Sequence, residues 1–305
     1  MPAKIFDKIT PRKRGIIYLL ISSFSFALMA LFINLAGDMP VFMKALFRNL
    51  VAFGLSVILL ARSEDKFKIK RGSWFGLIMR ASFGTVSLLC NFYAISTINI
   101  SDAMMLNKLS PFFAILTSIV ILKESADRYQ WAAILIALAG AVFVAKPAFI
   151  FGNTGAAVSP VIPTLIAFAG GIGAGIAYAF LRKVTLQGER GVVVVAFFSG
   201  FSCLSLIPFV IATYEPISPM QLLFCVLTGV SACFGQLFIT SAYSICPAKE
   251  ISIYDYSTVI FTAILGLIFL GEIPDTLSII GYLIIIGASV LNYLYNNNYL
   301  RFKKA

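Results

Sequence analysis

The sequence predicts an all-α integral membrane protein: ten transmembrane helices arranged as two inverted five-helix repeats. Three observations carry this expectation. Of 305 residues, 60% are hydrophobic and only 12% charged, whereas a soluble domain carries about 25%. Apolar runs of about 20 residues, enough to cross roughly 30 Å of hydrocarbon, recur from Gly15 to Tyr295 and use up nearly the whole chain. One polar-marked stretch, Asp102 to Glu124, returns 148 positions later.

Helices are expected over 15–36, 40–61, 73–97, 101–122, 129–146, 160–182, 191–213, 218–245, 249–270 and 276–296. Asp38-Met39-Pro40, Glu64-Asp65, Asn99, Glu124 to Arg128 and Pro216 to Pro219 supply the turns between them. The first apolar run follows Arg12-Lys13-Arg14, as in a signal peptide, but it is too long for one and nine more spans follow, so it reads as a retained helix. The run over 218–245 exceeds what a bilayer needs, which implies tilt or a late start. Pro147 to Pro160 is the longest non-helical stretch. It divides the chain into a first repeat, 1–146, a linker, 147–159, and a second repeat, 160–305.

Loop charge orients these spans. With the N-terminus inside, the inner segments hold Lys4, Lys8, Arg12, Lys13, Arg14, Arg62, Lys66, Lys68, Lys70, Arg71, Lys123, Arg128, Arg182, Lys183, Arg190 and Lys249, and finally Arg301, Lys303 and Lys304. The outer loops hold Lys146 alone, with Asp38, Glu215, Glu272 and Asp275. This is the positive-inside pattern, so both termini are expected in the cytoplasm. Trp74 and Trp131 fall where inner interface anchors belong. The net charge of +11 therefore faces the bilayer surface and argues against nucleic acid as a partner. A compact multi-pass chain without targeting signals fits the bacterial inner membrane. The chain has no histidine, and its five cysteines lie in or at the ends of apolar runs without metal-ligand spacing. No metal or cofactor is expected, and the cysteines read as small packing residues.

The repeat pairs Asp102 with Glu250, Asn107 with Asp255, Ser110 with Thr258, Phe113 with Phe261 and Glu124 with Glu272. Gly140 and Gly287 follow in the next helices. Five helices per half is an odd number, so the second half must enter the membrane from the other side. Inverted repeats of this kind build many secondary transporters.

The chain resembles the drug/metabolite transporter superfamily, in its EamA-type ten-helix branch. The resemblance rests on Arg48, Tyr93-Ala94-Ile95 leading into Asp102-Ala103, Leu109-Ser110-Pro111, Ile121-Leu122-Lys123-Glu124 and Phe269-Leu270-Gly271-Glu272. It implies a central cavity lined by the first four helices of each unit and opened to one side at a time. The fifth helices brace the bundle or dimerise it in some relatives, so a homodimer is within what the resemblance implies. The family often has Pro where this chain has Val259, which predicts a ninth helix straighter than the fourth.

Ionisable groups inside a bilayer cost roughly 2.5–3.5 kcal/mol each on insertion scales and default to a functional reading. Lys108 and Asp255 lie around 10 Å into their helices and approach the midplane from opposite sides. Asn107, Ser110, Ala114 and Thr117 share a face of the fourth helix, and Ser252, Asp255, Thr258 or Val259, and Thr262 share the corresponding face of the ninth. These two faces read as a substrate or coupling site, with a structural ion pair as the alternative. Lys44 is shallow enough to snorkel outward, whereas Arg48 lies deeper and needs a partner or a wet cavity. Arg80 reads as a snorkelling or gating residue. Asn91, Tyr93, Tyr178, Gln236, Tyr243 and Tyr254 need hydrogen-bond partners in apolar helices, and most such tips are satisfied packing residues. Gly171 and Gly175 form a GxxxG that permits close helix approach, read as packing or a hinge within the bundle. No phosphate-binding Lys-Ser/Thr pair follows these glycines, so transport is expected to be gradient-driven or by exchange.

The expected function is secondary transport of a small polar organic metabolite, an amino acid or related anion or zwitterion, with a proton or counter-substrate as the coupling partner. An enzyme on lipid-like substrates is the first rival. Its acid pairs, Glu64-Asp65 and Glu272 with Asp275, sit in loops without His or Cys. A non-transporting scaffold is the second rival.

Overall fold

The computed structural model describes residues 10–63, 68–121, 123, 128–146, 161–245 and 252–296, with the side chains of 240, 243, 244, 252 and 296 excepted. Ten of its helices are long and apolar enough to cross a membrane. They are α1 (Pro11–Leu35), α2 (Val41–Ala61) and α3 (Trp74–Thr97), then a fourth span made of α4 (Ile100–Asn107) and α5 (Ser110–Ile121), then α6 (Arg128–Ala145). The second half comprises α7 (Val161–Leu186), α8 (Gly191–Ala212) and α9 (Pro219–Ile245). Its ninth span consists of a 3₁₀ turn (Ser252–Tyr256), α10 (Ser257–Leu265) and a π turn (Gly266–Leu270), and α11 (Thr276–Asn296) closes the bundle.

The packing obeys the repeat. α1 lies along α9, and α7, its counterpart, lies along α3. α2 packs on its own counterpart α8, and α6 on its counterpart α11. One contact recurs with its partners exchanged. Ser22 Oγ on α1 donates to the Gly235 carbonyl on α9 at 2.8 Å, and Ser87 Oγ on α3 donates to the Gly170 carbonyl on α7 at 2.7 Å. Ser22 and Gly170 are 148 residues apart, as are Ser87 and Gly235. The same close approach is therefore built twice, with serine and glycine swapped.

The fourth span is broken where continuity was expected. Pro111 has no N–H to give the Asn107 carbonyl, and it disfavours helical backbone at the residue before it. Leu109 N turns instead to Leu106 O at 3.2 Å, and Phe112 N to Leu109 O at 3.0 Å. The ninth span is no simple straight helix either. It passes from 3₁₀ to α between Tyr256 and Ser257, the positions equivalent to Lys108 and Leu109, although Val259 replaces the proline. Both spans end in a left-handed residue, Lys123 (φ 55°) in one and Gly271 (φ 68°) in the other, again 148 apart.

At the edge of the bundle α6 and α11 meet through Gly140 and Gly281. A Cβ on Gly281 would lie 2.8 Å from the Gly140 carbonyl, whereas one on Gly287 meets open space. The glycine that matters for this contact is therefore Gly281, not the Gly287 that the repeat comparison suggests. Trp74 and Trp131 are exposed at the starts of α3 and α6, both on the face of the bundle where α1 begins.

Candidate functional site

The two repeats meet at the break in the fourth span. Lys108 stands at the end of α4, and Asp255 in the 3₁₀ turn that opens the ninth span. Lys108 Nζ donates to Asp255 Oδ2 at 2.6 Å, with the side chains only 12% and 19% exposed. The second carboxylate oxygen, Oδ1, is buried without a partner. Tyr256 OH donates to the Lys108 carbonyl at 3.1 Å and accepts from Ser289 Oγ of α11. The junction of the spans is thus held by an ion pair and a hydroxyl chain.

Near it lies a pair of cations with no acid between them. Arg48 on α2 and Arg80 on α3 both face the ring of Phe198 on α8, with guanidinium carbons 5.7 and 4.5 Å from its centroid. Arg48 is 8% exposed. Its Nη1 donates to the side-chain oxygen of neighbouring Asn49 at 2.8 Å. Both Nε atoms are buried without a partner, and no carboxylate among the described residues pairs with either arginine. Gly84, one turn beyond Arg80, leaves room for its guanidinium. A desolvated cation–π contact returns on the order of 2 kcal/mol, while burying an ion costs several kcal/mol. The contacts with Phe198 and Asn49 therefore leave the two charges under-compensated.

Tyr178 lies close to these charges. On α7 it lies opposite the outward stripe of Leu165, Ala169, Ile172 and Ile176, so it faces the bundle interior. It is nevertheless 45% exposed, and Arg80, Asp255 and Arg48 are all within its electrostatic reach. An inward-facing side chain with that exposure marks an opening between the helices, which we read as a cleft. The cleft lies in the half of the bundle nearer the start of α1. The other half is packed shut by Met29, Ile33, Ala45, Ile95, Met105, Leu106 and Leu109, all buried. It is tied by polar contacts as well. Lys146 Nζ lies 2.7 Å from Asp275 and 3.6 Å from Asp102, Tyr282 OH donates to Asp102 at 2.6 Å, and Glu272 accepts the Ile100 N–H at 2.8 Å.

This arrangement matches a known family along both halves. The description "EamA-like transporter family" applies to residues 13–146 and again to 161–294. The chain belongs to that family. Among its relatives is the pseudopaline exporter CntI of Pseudomonas aeruginosa, 30% identical over 281 residues that cover 91% of this chain and 95% of the exporter. Mouse solute carrier family 35 member G1 is 26% identical, covering 92% and 79%. A solved crystal structure at 17% identity superposes with a TM-score of 0.64 over 94% of this chain and 98% of that one, which supports the fold. The protein is a multi-pass membrane transporter of small molecules, as its family and named relatives are.

Within this EamA-like transporter, the sequence-predicted residues separate into groups. Lys108, Asp255, Arg48 and Arg80 gather at the centre, with Asn107 beside them at the end of α4. Thr258 does not line the cleft. It is fully buried and donates to the Asp255 carbonyl at 2.8 Å, and Thr262 likewise bonds back to its own helix. On the expected polar face of the ninth span, Thr258 and Thr262 are therefore dry, and Asp255 is left as the group that faces the centre. The corresponding face of the fourth is divided by the break. Tyr93 lies away from the centre, in a lateral pocket of about 590 Å³ shared with Val41, Phe42, Cys90, Thr213 and Glu215. Asn91 is buried on α3, where α7 passes at Gly170. Gln236 is half-buried and partnered on α9. The side chain of Tyr243 lies outside the described residues, as do Glu124 and Glu250.

Gly171 and Gly175 meet the broken span. A Cβ on Gly171 would lie 2.8 Å from the Leu106 carbonyl, and one on Gly175 2.8 Å from Ala114 N. Lys44 does not snorkel. It is 1% exposed, and its amine bonds the Gly37 carbonyl at 2.7 Å and Ser96 at 3.0 Å, satisfying the otherwise open end of α1. Sequence reasoning also missed Phe198 and Tyr256, whose roles depend on partners in other helices. Among the described residues no group of three or more His, Cys, Asp or Glu is placed to hold a metal.

Proposed function

We propose that the protein is a secondary transporter that moves a small organic anion or zwitterion by alternating access, with both termini in the cytoplasm. The observation that carries this reading is Tyr178. Its exposure supports a cleft that water reaches from one side and that ends at two under-compensated arginines and the Lys108–Asp255 pair. A bundle half open and half packed is what one state of an alternating cycle requires, and the repeat supplies a second state by exchanging the roles of its halves. The loop charges support an open side that faces the cytoplasm. The exporter among the relatives supports outward movement of cargo.

The test is transport by purified protein in liposomes. A thermal-shift screen of metabolites selects ligands, and counterflow of each hit measures exchange. Counterflow of anionic or zwitterionic hits supports the reading. Preference for a cationic cargo would overturn the charge argument, and absence of counterflow for every ligand that binds would overturn transport by this route.

A further inference from the structure

The charge count at the cleft specifies the cargo more closely than its sign. The Lys108 amine is already taken by Asp255, Lys146 by Asp102 and Asp275, and Lys44 by a carbonyl and a hydroxyl at the far end of α1. Arg48 and Arg80 remain. They share one aromatic ring, repel each other, and each keeps a buried Nε without an acceptor. Arginine cannot relieve this by losing its proton, because its ordinary pKa is far above neutrality. Two permanent like charges held together need a compensating anion, and a single carboxylate would leave one of them uncompensated. Guanidinium groups prefer planar, bidentate carboxylates. Their positions, 5.7 and 4.5 Å from a common centroid, bring both within reach of one short molecule.

We propose that Arg48 and Arg80 form a subsite for a ligand carrying two acidic groups, such as a dicarboxylate. Phe198 sets the spacing between the two guanidinium groups, and Tyr178 stands at the entrance. This deepens the transport reading and rests on it only for the statement that the bound ligand is cargo.

The experiment measures binding to the detergent-purified full chain with glutarate, butyrate and 1,5-diaminopentane as probes. Glutarate is expected to bind at least about tenfold more tightly than butyrate, as a second charge-assisted contact implies, and the diamine not at all. R48Q and R80Q should each reduce glutarate to the affinity of butyrate, and R80K should restore part of the loss. Equal affinities for glutarate and butyrate in the unsubstituted protein would overturn the proposal, whatever the variants do. Glutarate binding unchanged in a folded R48Q or R80Q protein would overturn it too. Selective glutarate binding with no counterflow of glutarate would keep the subsite and remove its role in transport. Counterflow of other metabolites that is insensitive to R48Q and R80Q, with no glutarate selectivity, would remove the subsite and keep transport.

Discussion

The phenol of Tyr256 donates to the main-chain carbonyl of Lys108 across 3.1 Å, and the two residues occupy the same position in the two repeats. The carbonyl is available because the fourth span breaks there and Phe112 N turns to Leu109 O instead. A side chain of one repeat thus satisfies the backbone that the other leaves open. Tyr256→Phe should cost about 1–3 kcal/mol by leaving that carbonyl unpaired, seen as a lower melting temperature in detergent. Transport should slow with little change in KM, because the phenol is spent on backbone. A raised KM with unchanged turnover would contradict this.

The glycines predict opposite outcomes for the same substitution. A Cβ at Gly175 would come within 2.8 Å of Ala114 N and closer still to the Phe113 side chain, so α7 would have to move off the broken span. Gly175→Ala should destabilise by about 1–3 kcal/mol, as overpacking does. Gly287→Ala meets open space in the middle of α11 and should stabilise by roughly 0.5–1 kcal/mol through backbone entropy. Melting temperatures of the two variants against the parent chain decide the matter.

Glu272 and Asp275 sit three residues apart and should respond to acid in opposite senses. Burial pushes the Glu272 carboxyl up against the pull of the Ile100 N–H, and the charge of Asp102 adds to the push. Burial acts on Asp275 as well, but hydrogen bonds from Lys146 and Ser278 outweigh it and hold that carboxyl below its ordinary value. A depressed carboxyl contributes stability that is present above its unfolded pKa and lost as pH falls through the folded one. A raised carboxyl imposes a penalty that disappears on acidification. Asp275→Asn should therefore lower the melting temperature at neutral pH, and Glu272→Gln should raise it, since the amide oxygen still accepts from Ile100. The Glu272 difference should shrink as pH falls through the ordinary carboxylate range, and the Asp275 difference should persist lower, shrinking only as pH falls through its depressed folded value.

Span number, repeat and family were legible because they depend on local composition and on spacing along the chain. The Lys108–Asp255 contact was within reach for the same reason: the repeat placed two polar faces at matching depth. Arg48 and Arg80 were visible as buried charges, but their shared ring was not, because Phe198 is one of 28 phenylalanines and only packing singles it out. Tyr93 lines a pocket apart from the ion pair, which its depth along the helix could not reveal because depth does not fix the direction a residue faces. Thr258 and Thr262 were read as wet because a hydroxyl in an apolar helix looks unsatisfied until its bond to a preceding carbonyl is seen. Lys44 was read as exposed because the Gly37 carbonyl that holds it belongs to a different helix end.

The Lys108–Asp255 pair gives the most direct test of a moving junction. Removing one partner of a buried pair costs about 3–5 kcal/mol when the remaining charge is fully enclosed, and the 12% and 19% exposures place this pair towards the lower end of that range. Lys108→Gln and Asp255→Asn should each lower the melting temperature, while the double variant, which strands no charge, should recover most of the loss. Transport should divide differently. Asp255 holds a second oxygen, Oδ1, without a partner, and is the acid at the base of the cleft, so it is the group placed to take up a coupling proton when the pair opens. Asp255→Asn should abolish flux driven by a pH gradient and spare exchange, and the double variant should regain stability without regaining driven flux. Driven flux that survives Asp255→Asn would remove the proton from that residue and leave the pair as a structural tie between the two repeats.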